Sequence, residues 1–559
     1  MVRELGIEWF EPYTQVLDSS RGPEWTTWFT GGSLNIAHNC LDRWADTDRI
    51  ACIWETEDGA SGSLTFRDLR AQADRIAADL RAMGLVPGDR VALCMPMVPG
   101  ILAILYGCFK AGLTVVPIFA GFGPGAIASR LHDSGARVLF TADHLERRGK
   151  RLPLAEKMPP FEGRTIVVEP GAAAQPPATS PTLALPSEHP AFLLYTSGTT
   201  GRPKGTVHTH AGCLAQMGKE MWLAFDHRDT DRFFWLSDIG WMMGPWTILG
   251  NHLFGGTIFL YDGAPDYPHP ARLWDMIERH RVTTFGVSPT AIRALKRPAG
   301  DLPSMASLRL LGSTGEPWDE ASWLWFFERV GRRRCPIINI SGGTEIVGCF
   351  LLPLPIQALK PCSLGAPAPG MATEVVDESG APVRGRTGYL VCTKPAPSMT
   401  RGIWGDPARY IETYWSRFPG MWYHGDWASV DEDGHWFLHG RADESMNVAG
   451  RKVGPAEVEE AMMQHPGVAE AAVIGVPDPI KGETIVGFAV AKPGAAPDPS
   501  AIAATIVREL GPTFRPHEVV IVAELPKTQS GKIVRRLLRR KYLGEEPGDL
   551  STVANPWAL

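Results

Sequence analysis

From residue 65 onward the apolar positions of this chain follow two periods in turn. Leu69, Ala73, Ile76, Leu80 and Met83 recur at helical spacing, with Thr65 placed to cap the first turn and Gly84 to end the last. Residues 90–95 then read as a strand, 99–111 as an apolar helix and 114–119 as a second strand; further strands fit 137–141 and 165–168. Strands alternating with helices of this length need crossover connections. The pattern therefore predicts an α/β fold with a large N-terminal domain of mostly parallel sheets sandwiched by helices. Residues 24–45 show little period and much turn chemistry and read as a packing arm within an N-terminal arm of about 60 residues. Residues 169–189, rich in proline and alanine, read as a surface connector. Beyond residue 440 the alternation continues on a smaller scale. Helices are predicted over 454–465 and 500–510, strands over 471–476, 485–491 and 519–522, and a basic helix over 535–541, which together make a small α+β lobe.

The strongest chemical signal follows a short apolar run, Ala191 to Leu194. Next come Tyr195, Thr196, Ser197, Gly198, Thr199, Thr200, Gly201, Arg202, Pro203, Lys204 and Gly205. Glycines let a backbone turn its N–H groups toward an anion, hydroxyls add donors, and Lys204 adds a mobile positive charge. The pattern is not a Walker A loop, because Pro203 precedes the lysine and Gly205 follows it. A flexible linker would have similar composition, but linkers rarely emerge from a buried strand.

Composition narrows the partners. Of the 559 residues 44% are hydrophobic and 21% charged, which is ordinary for a globular protein. The net charge of −6 with a pI near 6.2 argues against nucleic acid or an anionic membrane as the main partner. Nine cysteines form no C-x-x-C pair, and several lie in apolar runs, so they read as buried thiols of a reducing compartment. No apolar run approaches the roughly 18 residues of a membrane span, and the first residues lack a signal-peptide core. A cytoplasmic enzyme without membrane insertion is expected, and self-association stays open.

The loop 195–205 resembles the phosphate-binding loop of the adenylate-forming superfamily, which includes acyl-CoA synthetases, peptide-synthetase adenylation domains and luciferases. Six further motifs follow in family order: the leader from Trp28 to Arg43, the aromatic stretch Ser237 to Pro245, the turn Gly315-Glu316-Pro317, the Thr344-Glu345 pair, the Gly425-Asp426 pair, and Lys532 after Ser530-Gly531; the leader, together with Tyr261 to Pro268 and Ser288 to Arg293, resembles the acetyl-CoA-synthetase-like branch. The resemblance implies ATP, CoA and Mg²⁺ as cofactors. It implies that Thr196, Ser197, Gly198, Thr199, Thr200, Gly201 and Lys204 hold phosphates, that the turn 315–317 lies along the adenine, and that Asp426 and Arg441 hold the rest of the nucleotide. Thr344 would contact the α-phosphate, Glu345 the metal, and Lys532 would be the catalytic lysine. Residues 440–444 would mark the boundary between a domain over 1–440 and a mobile domain over 441–559, with Asp443 as hinge. Rotation there would withdraw Lys532 and bring Gly450 and either Arg451 or Lys452 to the CoA arm, with Arg508 near its 3′-phosphate.

The implied chemistry joins a carboxylic acid to ATP as acyl-AMP, then to the CoA thiol. Trp241, Met242, Met243, Thr314 and Gly342 would line the acyl pocket. Close acetyl-CoA synthetases carry a tryptophan at the position of Gly342, so its loss predicts an acid larger than acetate. Methionines adapt to varied shapes. Two rivals are an adenylation enzyme loading a carrier-protein thiol and a non-catalytic acyl or nucleotide sensor on the same fold. The four residues Lys204, Glu345, Asp426 and Lys532 argue against the sensor. Acetylation of Lys532 by a lysine acetyltransferase is left open.

Overall fold

The computed structural model describes residues 1–168, 179–196, 203–296, 300–442, 444, 446–448, 451–478, 482–528, 531–548, 550 and 553–558. Two large sheets form the frame. In the first, Arg164–Val168, Val138–Ala142, Arg90–Cys94, Thr114–Pro117 and Pro190–Thr196 lie side by side and parallel, and Lys204–Thr209 closes the edge antiparallel to Pro190–Thr196. The second runs Ile337–Asn339, Leu310–Ser313, Thr284–Val287, Arg232–Trp235, Thr257–Asp262, Ile50–Thr56 and Ser61–Thr65, parallel except for the final hairpin. Continuous apolar strands covered by helices on both faces are what parallel sheets require. The α/β expectation therefore holds, with a large N-terminal domain and a small C-terminal one.

Local signals explain the individual elements. Helix Phe66–Ala82 begins with a full capping box, Thr65 and Asp68 exchanging hydrogen bonds, and buries Phe66, Leu69, Ala73, Ala77 and Leu80. Helix Gly100–Lys110 is buried all round and packs on it. A smaller antiparallel sheet, Thr373–Val376, Gly388–Cys392, Trp422–Val430 and Trp436–Arg441, follows the second large sheet. The C-terminal lobe is built on the long hairpin Val468–Asp478 and Gly482–Ala491, with Glu518–Val522 parallel to its second strand. Helices Pro455–Met463, Pro499–Leu510 and Arg535–Tyr542 accompany that hairpin.

The connector reading needs correction at its far end. Leu185 is buried, Leu185–Pro186 pairs with Ser33–Leu34 of the arm, and the Ser187 hydroxyl donates to the Trp28 carbonyl. The arm is tied down there. Residues 169–178 lie outside the described set. All nine cysteines are free thiols, and no described helix is long and apolar enough to cross a membrane.

One buried charge cluster stands out in the second sheet. Glu55 has no solvent exposure; it meets Arg272 at 2.7 Å, Arg279 at 3.0 Å and the His280 imidazole. Burial would raise its pKa, but His280, Arg272 and Arg279 together keep it below the ordinary glutamate range. Replacing Glu55 with alanine should destabilise the protein by about 3–5 kcal/mol, because Arg272 is left buried and uncompensated. A lowered denaturant midpoint at unchanged slope checks this.

Candidate active site

Several segments distant in sequence meet around one carboxylate. Glu345 lies on the short turn Thr344–Ile346, between the strands Ser341–Gly343 and Gly348–Leu352. Tyr414, at the end of helix Pro407–Tyr414, donates its hydroxyl to Glu345 Oε1 at 3.0 Å, and its ring stacks on Trp422 at 4.3 Å. Lys204 opens the strand Lys204–Thr209, is buried, and holds its ammonium 5.0 Å from the centre of the same ring. Strand Trp422–Val430 supplies His424 and Asp426, which flank Gly425, at φ +90° where the ladder register slips. Arg441 faces Asp426 across the ladder. Its Nη1 donates to the His424 carbonyl at 2.7 Å and lies 3.6 Å from Asp426 Oδ1, while His424 Nε2 is 3.7 Å from Oδ2.

The electrostatics follow from this packing. Burial would push Glu345 up, yet His424, Lys204 and Arg441 hold its pKa below the usual glutamate value. Burial pushes the His424 imidazole below its ordinary range, against the opposing pull of Asp426 and Glu345. Burial, then the neighbouring Glu345, raise Tyr414 well above the ordinary phenol, which keeps it a donor. The centre thus offers two carboxylates, Glu345 and Asp426, one imidazole and two cations, Lys204 and Arg441. Among the described residues, two buried polar atoms beside it, Thr196 Oγ1 and His424 Nδ1, have no hydrogen-bond partner.

The turn Gly315-Glu316-Pro317 and the loop of Lys532 lie at one place. Gly315 takes a φ of +112°, and Glu316 Oε1 accepts from the Thr290 N–H at 2.7 Å and from the Thr290 hydroxyl. Arg293 is 3.3 Å from the same oxygen, so the turn is fixed to helix Pro289–Leu295. Against Thr290 packs Gly531, immediately before Lys532: a methyl group on Gly531 would overlap Thr290 Cγ2 and stand 3.1 Å from its Cβ. Lys532 is exposed there, its N–H donating to Thr528 Oγ1 at 3.1 Å.

Other expected residues divide. Ser197, Gly198, Thr199, Thr200, Gly201, Asp443 and Gly450 lie outside the described residues, as do the side chains of Arg451 and Lys452. Arg508 is exposed and pairs with its neighbour Glu509 at 2.7 Å. The aromatic stretch splits as well. Trp241 packs on Phe119 and Phe122 with ring centres 5.5 and 6.0 Å away, while Met242 and Met243 join the cluster of Trp235 and Trp246. Thr314 donates its hydroxyl to the Ile340 carbonyl at 2.8 Å.

Gly342 corrects one expectation. It is not simply an emptied side-chain slot. A Cβ there would run into the Gly348 carbonyl oxygen and stand 2.7 Å from Cys349 Cα, so the glycine is required by the close approach of the next strand. That strand is anchored from behind. Cys349 N–H donates to Glu220 Oε1 at 2.7 Å, and the other oxygen of this fully buried carboxyl accepts from the Trp246 indole at 2.6 Å. Tyr414 and His424 were not singled out in the sequence. The place of His424 directly before the Gly425-Asp426 pair carried a usable signal; Tyr414 carried none, since it shares the buried side of its helix with Tyr410.

Among the described residues no trio of His, Cys, Asp or Glu could hold a metal unaided. The buried Glu345 carboxylate, with Lys204 and Arg441 nearby, fits Mg²⁺, which commonly takes one or two carboxylates and completes its shell with substrate phosphates and water.

Fold and centre together define an AMP-forming ligase of acyl-CoA synthetase type. The chain belongs to the AMP-binding enzyme family, whose model matches residues 41–404. The AMP-binding enzyme C-terminal domain matches 457–532, and the acetyl-coenzyme A synthetase N-terminus matches 1–40. The acetyl-coenzyme A synthetase of Pyrobaculum aerophilum is 40% identical over 98% of this chain and 88% of its own length. That of Laribacter hongkongensis is 38% identical over 100% of this chain and 91% of its own. Among solved structures, acetoacetyl-CoA synthetase from Streptomyces lividans superposes with a TM-score of 0.90 at 30% identity, covering 99% of this chain and 89% of that one. Enzymes of this family use ATP, CoA and Mg²⁺.

Proposed function

We propose that this enzyme converts a carboxylic acid larger than acetate into its acyl-adenylate with release of pyrophosphate, then passes the acyl group to the CoA thiol with release of AMP. The observation that carries the reading is the convergence of Lys204, Glu345, Tyr414, His424, Asp426 and Arg441 from separate elements, with the Lys532 loop packed beside the turn 315–317. A carboxylic acid has a pKa near ~4 and arrives ionised, so the first step needs no base. Its obstacle is repulsion: two unit charges at ~4 Å cost about 4 kcal/mol at an effective dielectric of ~20, and a triphosphate multiplies the problem. Lys204, Arg441 and Lys532 offset that charge. Mg²⁺ held by Glu345 would add a further double positive charge at the phosphates. Thr344 sits where it can donate to the α-phosphate, and Asp426 accepts from ribose hydroxyls.

For the second step the domain 441–559 turns about Asp443. Lys532 withdraws, and Gly450 with Arg451 or Lys452 lines the thiol's approach, Arg508 lying toward the 3′-phosphate. Trp241, Met242, Met243 and Thr314 form the acyl walls, and Gly342 adds no side chain to them. The two adaptable methionines support the larger acid. A panel of straight and branched acids from two to eight carbons, scored by acid-dependent pyrophosphate release and CoA-dependent AMP release, tests the proposal. Highest kcat/KM on acetate would overturn the size assignment. AMP release that ignores CoA would overturn the acceptor.

Gly531→Ala offers a separate check on the packed lysine loop. Its φ of +86° already disfavours a side chain, and the added methyl meets Thr290. Acid-dependent pyrophosphate exchange should fall at least about 10-fold, in line with the sensitivity of aligned reactants to small displacements. Thioester formation from supplied acyl-AMP should change less than about two-fold, because Lys532 has no part in it.

A further inference from the structure

Residues 525–528, which lead into the loop of Lys532, are bridged on both sides, by the limb that follows Lys532 and by residues 553–555. On one side Lys527 bridges to Ile533, and Thr528 N–H donates to the Lys532 carbonyl at 2.8 Å. On the other side Thr528 bridges to Val553, and the Ala554 N–H donates to the Lys527 carbonyl at 2.7 Å. Asn555 completes the contact with its side chain. Its Oδ1 accepts from the Lys527 N–H at 2.8 Å, while its Nδ2 donates to the Leu525 carbonyl at 2.8 Å and to Glu524 Oε2 at 3.0 Å. Asn555 and Val553 are each only 8% exposed.

A solvated segment would leave its amide in water. This amide instead satisfies three partners, each on the residues leading into the loop of Lys532. Burying those groups without it would leave the Lys527 donor and the Leu525 acceptor short of partners, each a loss of full desolvation cost. The segment 553–555 contacts the lysine loop within the same lobe, so it can travel with that loop through any rotation about the hinge.

We propose that Asn555 is a positioning residue for adenylate formation: with Ala554 it fixes the strand from which Lys532 is presented to the carboxylate and nucleotide. This rests on the role assigned above to Lys532. The role predicts a split between the half-reactions that a purely structural residue would not produce. A globally weakened lobe harms both steps alike, whereas a misplaced lysine harms only the first.

The test compares Asn555→Ala, Ala554→Pro and Lys532→Ala as full-length enzymes, each with its thermal midpoint recorded. Ala554→Pro removes the N–H that reaches Lys527 while leaving the Asn555 side chain intact. Expected is a fall of about 10-fold or more in kcat for acid-dependent pyrophosphate exchange in both 554 and 555 variants, with KM for the acid and ATP within about two-fold. Thioester formation from supplied acyl-AMP should stay within two-fold of the parent. Equal losses in both half-reactions, or full exchange activity in both variants, would overturn the positioning role. If Lys532→Ala splits the half-reactions and the other two do not, the brace alone is refuted. If Lys532→Ala itself leaves exchange intact, the underlying assignment of Lys532 falls, and the brace with it.

Discussion

Replacing Lys532 with alanine should lower acid-dependent pyrophosphate release by about 10²- to 10³-fold while leaving thioester formation from supplied acyl-AMP almost untouched. The magnitude follows from removing one preorganised cation at the point where charge builds in the transition state, typically about 3–4 kcal/mol. The selectivity follows from place. Lys532 is exposed on a loop packed beside Thr290, whose N–H is held by Glu316, and the proposed adenylation step would draw on that placement. Thioester formation needs a path for a thiol instead. Single-turnover assays of each half-reaction measure the two numbers independently; equal damage to both would remove the division of labour.

The second large effect is expected at Gly342, and it runs against the simplest use of that glycine. Installing tryptophan, or even alanine, should depress turnover on every acid by at least about 10-fold rather than redirect the enzyme toward acetate. The added carbon has nowhere to go. Gly348 lies across from it, and the strand bearing Gly348 cannot retreat without breaking the bond from Cys349 to buried Glu220. Overpacking of a fixed site costs about 1–3 kcal/mol, and here the strain reaches the turn carrying Thr344 and Glu345. Val347, at the end of that turn, already sits at a φ of +40°, an unfavourable conformation for a β-branched residue. The readout is kcat/KM across the acid panel. A clean gain on acetate with turnover preserved would contradict it.

Elements defined by neighbours in sequence were legible before the structure. Thr65 and Gly84 announced helix Phe66–Ala82, and the strand before the loop 195–205 appeared within two residues of its final bounds. Glycine-bounded pairs such as Thr344-Glu345 and Gly425-Asp426 were legible because their motifs are local. Contacts closed over long separations were not. Strand Ile50–Thr56 joins the second sheet beside Thr257–Asp262, some two hundred positions away, and nothing in its own pattern names that partner. Tyr414 looked like any buried aromatic on an amphipathic helix; only the fold places its hydroxyl on Glu345. Gly342 was misread for the same reason, since residue identity reports a missing side chain but not what fills its direction.

Thr196 and Lys204 are register partners, so the stretch between them is anchored at both ends by the same ladder. Closure entropy grows slowly with length, roughly 0.6 kcal/mol for each doubling. Residues could therefore be inserted between those anchors at small entropic cost without relocating the Lys204 ammonium.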